Sequence, residues 1–301
     1  MSISYTSVIA GILEEINRPL SFTIFNIGAR PVAAAADPYS FDYLPDFFPD
    51  SRIIAFEVDP GLCEKLNRNE EDYAEYFAVA LGRTEEERPF YNTQHPMCSS
   101  LYKPNEALIK RYNNLHVASL HHVGSINTVS MDHFVREHGI GAVDLIKIDV
   151  QGAELDIFAG GLQTIRDVVA IVTEVEFVTQ YEGQPLFGDV SAYLAQQGLS
   201  YHKLLTVGTR SLAPIVINND PNVGSQHIWS DAMFIRDPGR IAEMSADQLL
   251  KLAVIANICN SLDITLFCLT EFDRREGTTI ARRFLDEAKI SPYTATIKTP
   301  A

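Results

Sequence analysis

Apolar and polar positions along the chain follow two periods, which predicts strands interleaved with helices. Runs rich in β-branched and aromatic residues are typical of buried strands, and they occur at 21–27, 52–58, 76–81, 143–148, 168–177, 201–207 and 229–236. Apolar residues at helical spacing mark 7–17, 61–69, 131–138, 153–167 and 190–197. This order predicts an α/β fold with a doubly wound, mainly parallel sheet, in which 229–236 is the last edge strand.

The pattern becomes purely helical after residue 239. Ser245, Asp263 and the Thr278–Thr279 pair each precede an apolar periodic stretch and are expected to cap three helices. Apolar stripes left exposed on these helices would favour a homodimer. The sequence therefore predicts three parts, namely an N-terminal helix (1–20), a main domain (21–238) and a C-terminal helical appendage (239–301).

Polar or turn-forming residues follow three of the predicted strands. Gly28 follows the first strand, Glu57 ends the second, and Asp149 stands where the strand 143–148 should stop. Because the carboxyl ends of parallel strands share one edge, where open α/β sheets bind ligands, we expect these residues to converge. Gly28 would let the backbone approach a ligand, and Glu57 could accept hydrogen bonds from both ribose hydroxyls of a nucleoside.

The phosphate-binding signature at this edge is poor. The chain has no Walker sequence, and no second or third glycine follows Gly28. A nucleoside cofactor without phosphates therefore fits better than NAD or ATP, and S-adenosylmethionine is the usual one.

Composition and charge narrow the classes of partner. Hydrophobic residues make up 46% and charged residues 21%, and 24 basic against 39 acidic side chains give a net charge of −15. This charge opposes a nucleic-acid partner, because phosphate neutralisation needs clustered Lys and Arg. No window reads as a membrane span or secretory signal, so we expect a cytoplasmic protein that binds no membrane. Four widely spaced cysteines predict reduced thiols.

The segment LIKIDVQGAELDIFAGG (145–161), preceded by TVSMDHFVREHGIGAVD, closely resembles the signature of the FkbM family of S-adenosylmethionine-dependent methyltransferases. FNIGAR (25–30) and IAFEVDP (54–60) are similar to that family's first glycine loop and second-strand acid segment, and the resemblance covers roughly 22–236. Two positions depart from the family pattern. Asn26 stands where an acid is usual, and Gln151 stands where Glu is usual.

The resemblance implies a class I, Rossmann-like methyltransferase fold and methyl transfer, most often to a hydroxyl of a small molecule or sugar. No stretch identifies that acceptor. The expected cofactor contacts fall into three groups. The methionine part would lie against Asn26, Gly28, Ala29 and Arg30, the ribose against Glu57 and Val58, and the adenine against Ala80 and Leu81.

Asp149 is expected beside the transferred methyl, where it contacts the cofactor and orients or deprotonates the acceptor, with Glu154 behind it. Aspartate is a weak base for an alcohol at its ordinary pKa, so orientation or metal binding is an equal alternative. Glu154 could equally be a first-turn acid favoured by the helix dipole. No metal is predicted; if one assists, Asp149 with Glu174 or Glu176 would be the first ligands to test. Six histidines are alternative bases: His95, His121, His122, His133, His202 and His227.

Two other hypotheses stay open at this stage. Asn26 and Gln151 would suit a methyltransferase-like binding or scaffold protein that has lost turnover. A different nucleotide-using Rossmann enzyme is opposed by the poor phosphate loop.

Overall fold

The computed structural model describes residues 5–31, 41–69, 73–291 and 294–297. The helices are α1 (Thr6–Glu15), α2 (Leu44–Phe47), α3 (Pro60–Leu66), α4 (Glu106–Ile109), α5 (Met131–Glu137), α6 (Glu154–Ala159), α7 (Phe187–Gln196), α8 (Ala246–Ile258), α9 (Leu262–Glu276) and α10 (Ile280–Glu287). The strands are β1 (Thr23–Ile27), β2 (Arg52–Phe56), β3 (Ala74–Phe77), β4 (Ala80–Gly82), β5 (Glu86–Thr93), β6 (Leu120–Ser130), β7 (Leu145–Ile148), β8 (Ala170–Glu176), β9 (Leu199–Leu204), β10 (Gly208–Arg210) and β11 (Gln226–Arg236).

Eight strands form the main sheet in the order β10-β11-β8-β7-β1-β2-β3, with β9 also paired to β11. β7 is central and runs parallel to both β1 and β8, whereas β11 runs antiparallel to β8. The predicted α/β fold with a mainly parallel sheet is thereby confirmed. Since β7, β1 and β2 are consecutive neighbours, the residues that follow them lie side by side.

The predicted edge position of 229–236 is wrong. β11 lies between β8 on one side and β9 and β10 on the other, antiparallel to all three. The chain after α7 adds these two strands outside β11, and local residue pattern carries no information about that order.

A second sheet of three strands, in the order β4-β6-β5, was missed in the sequence. The predicted strand 76–81 divides into β3 and β4. A tight turn ends β3, in which the Val79 N–H donates to the Phe77 carbonyl (2.9 Å). β4 then pairs in parallel with β6, and the charged residues 86–88 begin β5, which runs antiparallel to β6.

The predicted helix 153–167 is also divided, into α6 and a short 3₁₀ turn at Thr164–Arg166. Gly160 and Gly161 separate them. A Cβ on Gly160 would lie 2.3 Å from the Gly82 carbonyl oxygen, and one on Gly161 would lie 1.9 Å from Cε of Met131. These glycines therefore allow β4 and α5 to pack closely against the end of α6.

The chain divides into two compact units, which are described separately. One contains 24–31 and 54–237 and carries both sheets. Its core is apolar, and an aromatic cluster is part of it, with the Phe56 and Phe134 rings in edge contact at 4.7 Å.

The other unit contains 1–23, 32–53 and 238–301 and includes α1 and α8–α10. Ser245 caps α8 as predicted, in a capping box with Gln248. The cap at Asp263 is wrong, because this residue lies inside the first turn of α9. Thr279 occupies the N-cap position of α10 as predicted, but its side chain makes no capping hydrogen bond, and the Ile280 and Ala281 N–H groups donate to the Asp273 carboxylate instead. Within the described residues no helix combines the length and apolarity that a bilayer crossing requires.

Candidate active site

The ends of β1, β2 and β7 are fastened together by backbone hydrogen bonds. Asp149 N–H donates to the Ile27 carbonyl (3.0 Å), and Gly28 N–H donates to the Phe56 carbonyl (3.0 Å). Gly28 has φ +79°, and a Cβ there would lie 1.9 Å from the Asp149 carbonyl oxygen. Only glycine fits this crossing without displacing backbone, so the residue expected to approach a ligand also joins two strand ends.

A cavity of about 480 Å³ opens at this edge. Seven of the residues proposed from the sequence line it: Gly28, Arg30, Glu57, Val58, Ala80, Leu81 and Asp149. The other three do not line it. Asn26 lies within β1 opposite Lys147, Ala29 is buried with its N–H donated to the Phe56 carbonyl, and Glu154 is buried.

Glu57 is buried at the cavity wall and held by two donors. Its Oε1 accepts the Asp59 N–H (2.9 Å) and an Arg30 guanidinium N–H (3.0 Å). A guanidinium nitrogen of Arg30 also lies 3.4 Å from Oδ2 of Asp59. Asp59 caps α3, and the N–H it accepts from Leu62 lowers the pKa of its carboxyl. Arg30 therefore faces both Glu57 and Asp59. Hydrogen bonds to Oε1 hold the Glu57 side chain in place, and its Oε2 is left for a ligand.

Part of the cavity lining is apolar and comes from the second sheet. Ala80 and Leu81 on β4, Phe90 on β5 and Ile126 on β6 all line the cavity. Ala80 and Leu81, which are expected to meet an adenine, therefore share this part of the lining with side chains of β5 and β6.

Asp149 belongs to a hydrogen-bonded network organised by Gln151. The Gln151 amide nitrogen donates to Asp149 (2.8 Å) and to Glu174 (2.6 Å), and its amide oxygen accepts from the Tyr181 hydroxyl (2.8 Å). The Ser100 hydroxyl donates to the Gln151 carbonyl (2.7 Å). Because Tyr181 holds the oxygen end, the nitrogen end is directed at the two carboxyl groups.

Four carboxyl groups meet at and behind Asp149. Glu154 accepts the Val150 and Gly152 N–H groups (2.9 and 3.3 Å), and Glu174 and Glu176 share one face of β8. Burial raises the pKa of Glu154 to about 7, and burial also raises the pKa of Asp149. Burial and repulsion from neighbouring carboxylates raise the pKa values of Glu174 and Glu176 well above their ordinary range. The cluster can therefore hold protons near neutral pH.

Tyr181 was missed in the sequence, because it lies in a connector without periodicity. Ser100 lies in a polar loop that could meet a ligand, but loop polarity alone did not distinguish it from its neighbours. The i, i+2 spacing of Glu174 and Glu176 on a buried strand was the one usable clue to the cluster. None of the six histidines considered as bases lines the cavity within the part of the chain described.

Comparisons with known proteins agree with the sequence resemblance. The profile of a family described as Methyltransferase FkbM domain matches residues 27–201. The 2-O-methyltransferase NoeI of Sinorhizobium fredii (strain NBRC 101917 / NGR234) is 43% identical over 60 residues, which are 20% of this chain and 25% of that protein. The chain thus matches only a quarter of that relative's length.

Among solved structures, the crystal structure of methyltransferase FkbM from Methylobacillus flagellatus KT aligns with 71% of this chain and 43% of its own, at 10% identity and a TM-score of 0.36.

Proposed function

Because this chain belongs to the FkbM methyltransferase family, we propose that it uses S-adenosylmethionine to methylate a hydroxyl oxygen of a small molecule or sugar. The observation that carries the proposal is that Glu57 and Asp149, from neighbouring strand ends, line the same cavity. The local similarity to a 2-O-methyltransferase supports oxygen as the acceptor atom.

The residues around the cavity suit this cofactor. A volume of about 480 Å³ is within the usual range of small-molecule sites, roughly 300–1,000 Å³. Glu57 would accept hydrogen bonds from the ribose, Ala80 and Leu81 would flank the adenine, and the turn at Gly28 would border the methionine part. Three acids of the lining, Glu57, Asp59 and Asp149, stand against one base, Arg30, which favours a cationic sulfonium over a polyphosphate.

The work left to the protein is alignment and proton removal. When bound, S-adenosylmethionine supplies an electrophilic methyl that passes to the acceptor oxygen while its sulfur keeps the electron pair. Asp149 would orient the acceptor hydroxyl and take its proton. Burial raises the pKa of Asp149, which makes it a stronger base than an exposed aspartate. Gln151 would fix the direction of that carboxylate through the contact with Tyr181.

Titration calorimetry with S-adenosylmethionine tests the cofactor assignment. Glu57→Ala is expected to weaken binding by about 10- to 100-fold, because a hydrogen bond to a charged group contributes about 1.5–3 kcal/mol. The matched control is Glu64→Ala, which removes an exposed acid of α3 that pairs with Arg68. This control should bind as the unsubstituted chain does.

Glu57→Gln keeps an acceptor for Arg30 and Asp59 and should fall between the other two variants. Normal affinity in Glu57→Ala would refute the ribose assignment. Complete absence of binding by the unsubstituted chain would refute the proposed function and favour a binding protein without turnover.

A further inference from the structure

The proposed methyl transfer uses only Asp149 of the carboxyl cluster and leaves Glu154, Glu174 and Glu176 without a role. One oxygen each of Asp149, Glu154 and Glu174 lies within 4.8 Å of the other two. Glu154, Glu174 and Glu176 are each at least nine-tenths buried, and none of them forms an ion pair with a Lys, Arg or His among the described residues. Buried acids without counter-charge are costly.

A second observation concerns Glu176, whose side chain is 1% exposed. Its Oε1 has no hydrogen bond of regular geometry in the described structure. The Gln184 amide nitrogen has none either; burial raises the pKa of the Glu176 carboxyl, and this amide acts to lower it. Glu176 shares a face of β8 with Glu174, and the charges of Glu154 and Asp149 act on it directly. A buried carboxylate oxygen without a regular hydrogen bond, beside other buried carboxyl groups, is a position that a bound cation would satisfy.

The donor set defines what that ligand would be. All available atoms are carboxylate oxygens, with no histidine or cysteine among them. Oxygen-only sites with several carboxylates suit Mg²⁺, Mn²⁺ or Ca²⁺ rather than Zn²⁺ or copper. The Gln151 amide contacts Oδ1 of Asp149 and Oε2 of Glu174, and the carboxyl groups of Asp149 and Glu174 also interact with each other. A cation bound between them would take the place of the proton that these two carboxyl groups otherwise share.

We propose that Asp149, Glu154 and Glu174, with Glu176 behind them, bind one hard divalent cation at the inner end of the cavity. Because Asp149 also lines the cavity, the ion would reach ligands held there. Its role in catalysis rests on the proposed function. There the ion would take the acceptor hydroxyl as a further ligand and lower its pKa, and the proton would pass to a carboxylate of the cluster.

Binding of Mn²⁺ alone tests the site, without S-adenosylmethionine or acceptor. The full chain is treated with a chelator, and free Mn²⁺ is followed by electron paramagnetic resonance during titration. We expect one Mn²⁺ per chain, and an affinity at least about 10-fold lower in Glu174→Gln. The control is Glu182→Gln, which changes an exposed acid that pairs with Lys103 and should leave Mn²⁺ binding unchanged.

Thermal unfolding separates the site from a cluster that only holds protons. Metal should raise the melting temperature of the unsubstituted chain and not that of Glu174→Gln. If Glu174→Gln does not fold, the half-buried Asp149→Asn serves in the same two measurements. No Mn²⁺ binding at millimolar concentration, or equal binding in unsubstituted and substituted chains, would overturn the proposal. S-adenosylmethionine binding by the same preparation would show that the proposed function survives that failure.

Discussion

At the scale of single residues, the buried carboxyl group of Glu154 allows a prediction of how stability depends on pH. It is 2% exposed, and burial raises its pKa from an ordinary 4.5 to about 7. The folded chain therefore holds this proton more tightly than the unfolded chain between those two pH values. Stability contributed by the proton is fully present below pH 4.5 and is lost as the pH rises to 7.

Glu154→Gln should remove that dependence, because the amide keeps an oxygen for the Val150 and Gly152 N–H groups but does not ionise. Relative to the variant, the unsubstituted chain should lose about 3 kcal/mol of unfolding free energy between pH 4.5 and 7. Urea unfolding of both chains across this range measures the difference. Parallel pH profiles would show that Glu154 titrates as an ordinary surface acid.

Gln151 stands where the family usually has a glutamate, and this difference changes the charge of the site. It adopts a left-handed backbone conformation (φ +59°), which non-glycine residues seldom take. Its carbonyl and side chain are both fixed by neighbours, Ser100 and Tyr181. A glutamate here would add a further negative charge between Asp149 and Glu174, whereas the amide donates to both.

At the scale of elements, the close approach between the ends of β1 and β7 depends on Gly28. Gly28→Ala would combine a positive φ with a Cβ placed 1.9 Å from the Asp149 carbonyl oxygen. We expect a loss of at least about 2 kcal/mol in unfolding free energy, together with weaker S-adenosylmethionine binding. Denaturant unfolding and calorimetry measure the two effects.

Gly183→Ala is the matched control for that variant. Gly183 has nearly the same φ, +78°, but nothing lies within 4 Å of an added Cβ. It should show only the backbone cost, about 1–2 kcal/mol. Equal destabilisation in the two variants would mean that the crossing relaxes and that the clash at Gly28 has no effect.

The contact between α6 and the second sheet depends on Asp156. This buried carboxylate accepts from Arg88 (2.8 Å), Arg83 (3.1 Å) and Tyr102 (3.1 Å). Burial alone would raise the pKa of Asp156, but these donors lower it below its ordinary value. The stabilisation it contributes is therefore present above pH 3.8 and is lost as the pH falls through the lowered pKa.

Asp156→Asn should destabilise the chain by about 2 kcal/mol at pH 7, since it leaves the half-buried Arg88 without its carboxylate. The effect should shrink as the pH falls below about 4, where the unsubstituted Asp156 also loses its charge. Unfolding at pH 7 and pH 3 measures both. A cost that is the same at the two pH values would contradict the ionic origin.

At the scale of the whole molecule, the net charge predicts which of the candidate cofactors the chain would bind. The chain carries a net charge of −15, and the cavity lining is acidic. S-adenosylmethionine carries a positive sulfonium, whereas ATP and NAD carry phosphates that this field repels. S-adenosylmethionine at about 100 times its dissociation constant should raise the melting temperature by about 5 °C, and ATP and NAD should not raise it.

The three ligands are compared at equal concentration in one thermal-shift series, at low and at moderate salt. A larger shift with NAD or ATP would contradict the cofactor assignment. It would favour the nucleotide-using alternative, despite the missing phosphate loop.

Local residue pattern determined most strands of the main sheet and several helix ends, because burial periodicity and caps such as Ser245 depend on neighbours in sequence. It also brought out Gly28, Glu57 and Asp149 as strand-end residues, since parallel strands end at a common edge. Their roles toward a cofactor stay predictions.

Only the tertiary structure decided the second sheet, the outer strands beside β11, and the partners of the key acids. Arg30 meets Glu57, and Gln151 meets Tyr181 and Glu174, across gaps of roughly 20 to 30 residues. Contacts of this kind depend on how elements are ordered in space, and they leave no period in the sequence. The carboxyl cluster arises from that order, because it joins acids from two neighbouring parallel strands and the helix that follows one of them.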